Sequence, residues 1–192
     1  MSPDPCKTAR TVLLTGASSG IGHAAALALS RRGHRVIALG RDAQRLAALR
    51  VQAPGITTLV ADLADTSGLH TLAQTVIERH PLLDAVIHNA GIQHDVNLQD
   101  AAYGLPDVQA EIATNLLAPI ELTRLLLPGL MTRASSVVMF VTSGLALAPK
   151  STASVYCASK GGCTLLPRRC GVSWQAARCG WWNCCRRWWT RP

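Results

Sequence analysis

A chain of 192 residues, 48% of them hydrophobic, is long enough for one well-buried domain. No stretch reaches the roughly 18 uninterrupted apolar residues of a membrane span, and the opening Met1-Ser2-Pro3-Asp4-Pro5-Cys6-Lys7 lacks the apolar core of a secretory leader, so a soluble cytoplasmic protein is expected. The formal charge of +8 is no basic binding surface spread over the chain, because residues 1–160 carry +2 and residues 161–192 carry the other +6.

Thr11–Thr15 (Thr-Val-Leu-Leu-Thr) is a short apolar run ending at a glycine, the pattern of a buried strand. Residues 21–32 read as a helix with Ala and Leu on one face, arginines in the last turn and Gly33 closing it. A second strand over 35–39 is followed by a helix over 42–50, with Asp42 placed to cap it. A third strand spans 56–60, and a helix over 66–80 is stopped by Pro81. A fourth strand spans 84–88. Residues 103–130 are mostly helical, with a bend expected at Pro119, and a fifth strand spans 136–142. A helix begins at Ser154 and carries Tyr156 and Lys160. Apolar strands alternating with helices predict an α/β fold: a Rossmann-like, doubly wound parallel sheet with helices on both faces.

Residues 15–22 read Thr-Gly-Ala-Ser-Ser-Gly-Ile-Gly between a predicted strand and a predicted helix. In that context glycines serve a dinucleotide: Gly16 permits the tight turn, Gly20 lets the backbone approach the ligand, and Gly22 lets helix and strand pack closely. The helix N-terminus then offers free N–H groups to a pyrophosphate. The second strand ends Leu39-Gly40-Arg41. An acidic residue there would accept from the ribose 2′-OH of NAD, whereas the Arg41 guanidinium suits a 2′-phosphate and Gly40 leaves room for it, so NADP(H) is favoured over NAD(H). The alternative is a solvated Arg41 paired with Asp42.

Tyr156 and Lys160 are i and i+4 on a helix and share a face, and Ser143 lies thirteen residues before the tyrosine. A phenol with a reference pKa of about 10 is a poor acid–base at neutral pH, and a nearby ammonium stabilises its phenolate. Tyr156 is thereby a candidate general acid in reduction and base in oxidation. Lys160 can also hold the nicotinamide ribose hydroxyls. Ser143, at the carboxyl end of the fifth strand, is placed to hydrogen-bond a substrate oxygen. A tyrosine and lysine at this spacing, taken alone, also suit an ordinary surface helix. His23, His34, His70, His80 and His94 lack ligand-like spacing and read as surface or loop residues, and Cys157 as a small helix residue, so no metal is expected.

Over residues 10–160 the chain resembles the short-chain dehydrogenase/reductase family. The family's Thr-Gly-x-x-x-Gly-x-Gly is matched by residues 15–22, which implies Gly16, Ser18, Ser19, Gly20, Ile21 and Gly22 at the cofactor. Its acidic contact to the adenine amino group is matched by Asp62, followed by Leu63. Its Asn-Asn-Ala-Gly appears as His88-Asn89-Ala90-Gly91, with His88 replacing the first asparagine. The family's catalytic asparagine matches Asn115, implied to position a water that links Lys160 to solvent. Its serine, tyrosine and lysine match Ser143, Tyr156 and Lys160. The resemblance implies hydride transfer between a nicotinamide cofactor and a small carbonyl or alcohol, without nucleic-acid or membrane partners, and it implies homo-oligomers.

The family pattern stops within the catalytic helix. All five Trp and five of the seven Cys fall after residue 160, together with six Arg and no acid. GC-rich codons read one base out of frame produce this bias. With chosen synonymous codons, residues 180–192 read back as Arg-Val-Val-Glu-Leu-Leu-Pro-Pro-Val-Val-Asp-Thr-Pro, a strand and Pro-Pro loop as the family requires. A one-base shift near codons 157–163 is therefore the hypothesis for this tail. The organisation expected is an extension (1–9), an incomplete NAD(P)-binding domain (10–165) truncated after the fifth strand and catalytic helix, and an aberrant tail (166–192). A truncated, catalytically dead protein that at most binds cofactor is the alternative to an active reductase. A zinc site is disfavoured because Cys170, Cys179, Cys184 and Cys185 lack paired Cys-x-x-Cys spacing. A Trp/Arg nucleic-acid or membrane patch would not explain why the pattern stops.

Overall fold

The computed structural model of the protein describes residues 9–166. Five strands, β1 (Thr11–Thr15), β2 (Arg35–Gly40), β3 (Thr57–Val60), β4 (Ala85–His88) and β5 (Val137–Phe140), form one sheet in the order β3-β2-β1-β4-β5. Every pairing is parallel, with Leu13 opposite both Ile37 and Val86. The helices are α1 (Gly20–Arg31), α2 (Ala43–Gln52), α3 (Leu69–Arg79), α4 (Leu105–Ile112), α5 (Ala118–Met131) and α6 (Ser154–Leu165). The fold is the expected Rossmann-like doubly wound sheet.

Alternation along the strands divides the core. Leu13, Ile37, Leu39, Val86, Val138 and Phe140 pack with Leu69, Ala73 and Val76 of α3 and Leu122, Leu126 and Leu130 of α5. On the opposite face Val12, Leu14, Val36, Ala38 and Ala85 pack with Ala26 and Leu29 of α1 and Leu46 and Leu49 of α2. A side chain buried as fully as Leu13 or Leu14 contributes on the order of 2–3 kcal/mol. The chain winds outward from β1 to β3, then crosses back to place β4 on the other side of β1. That reversal opens a crevice beyond the carboxyl ends of β1 and β4, where such sheets take their ligands.

Helix ends follow the sequence. Asp42 caps α2 by accepting from Arg45 N at 2.9 Å, and Gly33, at φ +81°, turns the chain out of α1. The expected helix over 103–130 differs in two respects: Tyr103 and Gly104 precede it, and α4 and α5 are joined by a π-turn, Ala113–Leu117. Pro119 is the physical cause. It lacks an N–H, so it cannot bond the carbonyl four residues back, that of Asn115, and the ladder slips by one residue ahead of it. The Asn115 carbonyl accepts instead from the Cys163 thiol at 3.0 Å.

Among the described residues β5 pairs with β4 alone, no helix is long and apolar enough to cross a membrane, and no cluster could hold a metal ion. The expectations for residues 1–8 and for the tail, Cys170, Cys179, Cys184 and Cys185 included, lie outside the described residues.

Candidate active site

A cleft of about 530 Å³ lies beyond the carboxyl ends of the strands. Gly16, Ser18, Ser19, Gly20, Ile21, Gly22, Arg41, Asp62, Leu63, Asn89, Ala90, Gly91, Tyr156 and Lys160 all line it. Five segments far apart in sequence therefore meet in one crevice. Asn115 and Ser143 are not among the lining residues; they stand behind and beside its wall.

The loops after β1 and β4 are built as one unit. Thr15 Oγ1 accepts from the backbone N–H groups of Asn89 and Ala90, each at 3.0 Å. Asn89 Nδ2 donates back to the carbonyls of Thr15 (3.1 Å) and Gly16 (3.2 Å). Gly16 has φ +68°, and a Cβ there would sit 2.7 Å from Ala90 Cα; a Cβ at Gly22 would sit 2.0 Å from Gly16 O. No side chain fits either place. Ser19 precedes α1 in extended conformation without a side-chain cap, and the first turn holds no acid. The backbone donors of that turn, at the positive end of the helix dipole, remain for an anion in the cleft.

Arg41 is exposed at the cleft. The alternative pairing with Asp42 is not formed, because Asp42 caps α2 and holds Arg45 at 3.2 Å. Gly40 also lines the cleft, and a Cβ there would sit 3.1 Å from Ser18 Cβ. Asp62 accepts from Ala64 N at 2.9 Å, which fixes the turn after β3.

One turn of α6 separates Tyr156 from Lys160. Lys160 is 4% exposed; its Nζ donates to Val141 O at 3.0 Å and stands 5.7 Å from the centroid of the Tyr156 ring. Burial pushes the Lys160 pKa below its ordinary value, opposed by the neighbouring Cys163 thiol. Gly91 eases this approach: a Cβ on it would lie 3.2 Å from Lys160 Nζ and 3.3 Å from Asn115 Oδ1, a tight fit. Asn115, in the π-turn, accepts from Ile92 N and donates to Ile92 O, both at 2.8 Å, and donates to Ser159 Oγ at 3.1 Å. Ser143 caps the short turn Gly144–Ala146 by accepting from Leu145 N at 3.2 Å, which leaves its hydroxyl proton to donate.

His88 occupies the place of the expected first asparagine and is buried at the end of β4. Thr123 donates its hydroxyl proton to Pro119 O (2.7 Å), so at 2.9 Å it accepts from His88 Nε2, which fixes the proton on that nitrogen. The ring stacks on Phe140 at 4.9 Å, and Nδ1 is buried without a hydrogen bond among the described residues. Burial, with the Lys160 charge as a lesser cause, lowers the His88 pKa to about 3.

His34 and His94 are half-buried loop residues, as expected, and both are engaged. His34 Nδ1 accepts from Arg10 N at 3.0 Å, and His94 stands 3.2 Å from the buried carboxylate of Glu111, which also accepts from Tyr103. Neither Glu111 nor Tyr103 was marked by a motif. The available signal was the spacing of Glu111 four residues before Asn115, which sets an acid on the helix face that leads to the asparagine.

Residues 10–178 match the family described as short chain dehydrogenase. The chain is 39% identical over 153 residues to the uncharacterized oxidoreductase DltE of Bacillus subtilis, covering 80% of this chain and 61% of that protein. It is 38% identical to the ketoacyl reductase HetN of Nostoc (81% and 55% covered) and 32% identical to an NADPH-dependent pterin aldehyde reductase of Arabidopsis thaliana (79% and 64% covered). The matches thus span less than two thirds of these relatives. Among solved structures, a metagenomic short-chain oxidoreductase in complex with NADP superposes with a TM-score of 0.77 at 27% identity, covering 85% of this chain and 74% of that one. A 3-oxoacyl (acyl-carrier-protein) reductase of Agrobacterium tumefaciens with NADP bound superposes at 0.75 and 28%, covering 82% and 62%.

Proposed function

Because this chain belongs to the short-chain dehydrogenase/reductase family, we propose that it transfers a hydride between NADP(H) and a small carbonyl or alcohol. The observation that carries the reading is the Lys160 ammonium, buried beside Tyr156 at the wall of a cleft whose other end is an uncapped helix N-terminus. The residues fit the cofactor. The α1 N-terminus suits the pyrophosphate, Asp62 and Leu63 the adenine, and Asn89, Ala90, Gly91 and Lys160 the nicotinamide half. Arg41, which forms no ion pair among the described residues, supports a 2′-phosphate and hence NADP(H) over NAD(H). The NADP in the related structures and the NADPH dependence of the pterin aldehyde reductase support the same choice.

When bound, the nicotinamide supplies or accepts the hydride. In reduction Tyr156 gives its phenolic proton to the substrate oxygen, and in oxidation it takes that proton back. Lys160 stabilises the phenolate left behind, and its remaining N–H groups are free to hold ribose hydroxyls. Ser143, with a lone pair engaged by Leu145 N, donates to the substrate oxygen. Asn115 locks Ile92 beside Gly91 and supports proton return to Lys160. The test is binding followed by turnover. NADPH should bind more tightly than NADH, Arg41→Ala should erase most of that difference, and Tyr156→Phe should bind NADPH but not oxidise it. Equal affinity for the two cofactors would overturn the NADP(H) assignment, and tight NADPH binding without turnover of any carbonyl would overturn the enzymatic one.

A further inference from the structure

The segment leaving β4 is fastened at three of four successive residues. Ile92 is bonded through both backbone atoms to the Asn115 carboxamide. His94 Nδ1 meets Glu111 Oε2 at 3.2 Å. Asp95 accepts from Lys150 Nζ at 2.5 Å and from Thr152 Oγ1, on the loop between Ser143 and Tyr156. The remaining residue, Gln93, lines the cleft with Thr142 and Tyr156.

Glu111 is the unexpected part. It is 1% exposed on the last turn of α4, directly before the π-turn that holds Asn115. A buried carboxylate is costly unless hydrogen-bonded, and an apolar residue would fill the same space without that cost. Its Oε1 is buried without a partner among the described residues, so its bonding converges on Oε2. There Tyr103 donates its hydroxyl at 2.8 Å, and the His94 and Tyr103 rings lie 5.4 Å apart. The Tyr103 pKa is pushed up to about 12, first by burial and then by Glu111, so this donor keeps its proton at neutral pH. One oxygen thus gathers both ends of the loop over residues 92–104, His94 from its start and Tyr103 from its end.

We propose that Glu111 is a positioning residue for the substrate side of the cleft: it ties both ends of the 92–104 loop to the helix leading into Asn115 and so holds Gln93 at the wall of the cleft that Tyr156 also lines. This rests on the reductase reading for its catalytic consequence, but not for its structural one. The test uses the full chain with saturating NADPH and the variants Glu111→Leu, Glu111→Gln and Tyr103→Phe. Amide hydrogen exchange is followed by mass spectrometry, and kinetics are measured with glyceraldehyde. In Glu111→Leu, exchange over 92–104 should quicken about tenfold or more while β1 and β4 stay protected. KM for glyceraldehyde should rise about tenfold with kcat within about threefold and NADPH affinity unchanged. Glu111→Gln, which keeps one acceptor for Tyr103, should fall between Glu111→Leu and the parent, and Tyr103→Phe should loosen the loop. Unchanged exchange over 92–104 in Glu111→Leu overturns the proposal. So does equal acceleration across β1 and β4, which marks a residue of general stability. If the parent chain reduces no carbonyl, that counts against the reductase reading, and the exchange result alone decides for or against Glu111.

Discussion

His88 makes the fold acid-sensitive by a calculable amount. Its pKa is about 3 in the folded protein against an ordinary value of 6.5, because burial leaves an imidazolium without water and the Lys160 charge adds repulsion. The unfolded chain binds this proton as pH falls below 6.5, whereas the folded protein does not until about 3. The contribution is therefore intact above 6.5 and is lost progressively as pH falls toward 3. At about pH 5, one and a half pH units below the unfolded value, the loss is about 2 kcal/mol at about 1.4 kcal/mol per pH unit, and near pH 3 it approaches about 5 kcal/mol. The assay is urea unfolding of the parent and of His88→Asn at about pH 7.5 and about pH 5. At the higher pH the variant should be less stable by about 1–2 kcal/mol, having lost the bond to Thr123 and the stack on Phe140. Between the two conditions the parent should lose about 2 kcal/mol more than the variant, since the carboxylates common to both cancel. Identical pH dependence in the two proteins would refute the reasoning, as would a His88 ring that titrates near 6.5 by NMR in the folded state.

Gly91→Ala should lower kcat by about tenfold or more with a smaller effect on thermal stability, since its methyl meets Lys160 Nζ and Asn115 Oδ1; full activity would show that the lysine has room to move. Burial lowers the Lys160 pKa, so the unfolded chain holds this proton more readily. The resulting penalty is present at neutral pH and relieved as pH rises into the alkaline range. Unfolding titrations should therefore show the parent gaining on Lys160→Met as pH is raised, and parallel curves would contradict this. The composition after residue 160 predicts that resequencing the gene across codons 155–192 will find a missing base or an equivalent shift. A confirmed frame would retire that hypothesis.

What was legible in the sequence is what is local. The strands show as apolar runs because a parallel sheet buries both faces. The glycine loop shows because the turn, the close approach of Ala90 and the packing of Gly22 each demand a glycine within a few residues. Tyr156 and Lys160 show because a helical turn fixes their spacing. The π-turn did not show: Pro119 marks a break in the ladder, but where the slip settles depends on the Cys163 thiol that takes the Asn115 carbonyl. Glu111 was missed for a related reason. Its partners lie 8 and 17 residues earlier, brought to it by an irregular loop that no periodicity describes. The use of Gly91 is likewise invisible until α6 brings Lys160 against it.

Hydride transfer by this chain is detected by following the hydride itself. The full chain would be incubated with a carbonyl substrate and NADPH deuterated at the nicotinamide carbon that gives up hydride, and the product alcohol examined by mass spectrometry. One deuterium per alcohol is expected for the parent and none for Tyr156→Phe, which still binds the cofactor. An alcohol without deuterium, or no alcohol from a chain saturated with NADPH, would contradict hydride transfer by this chain.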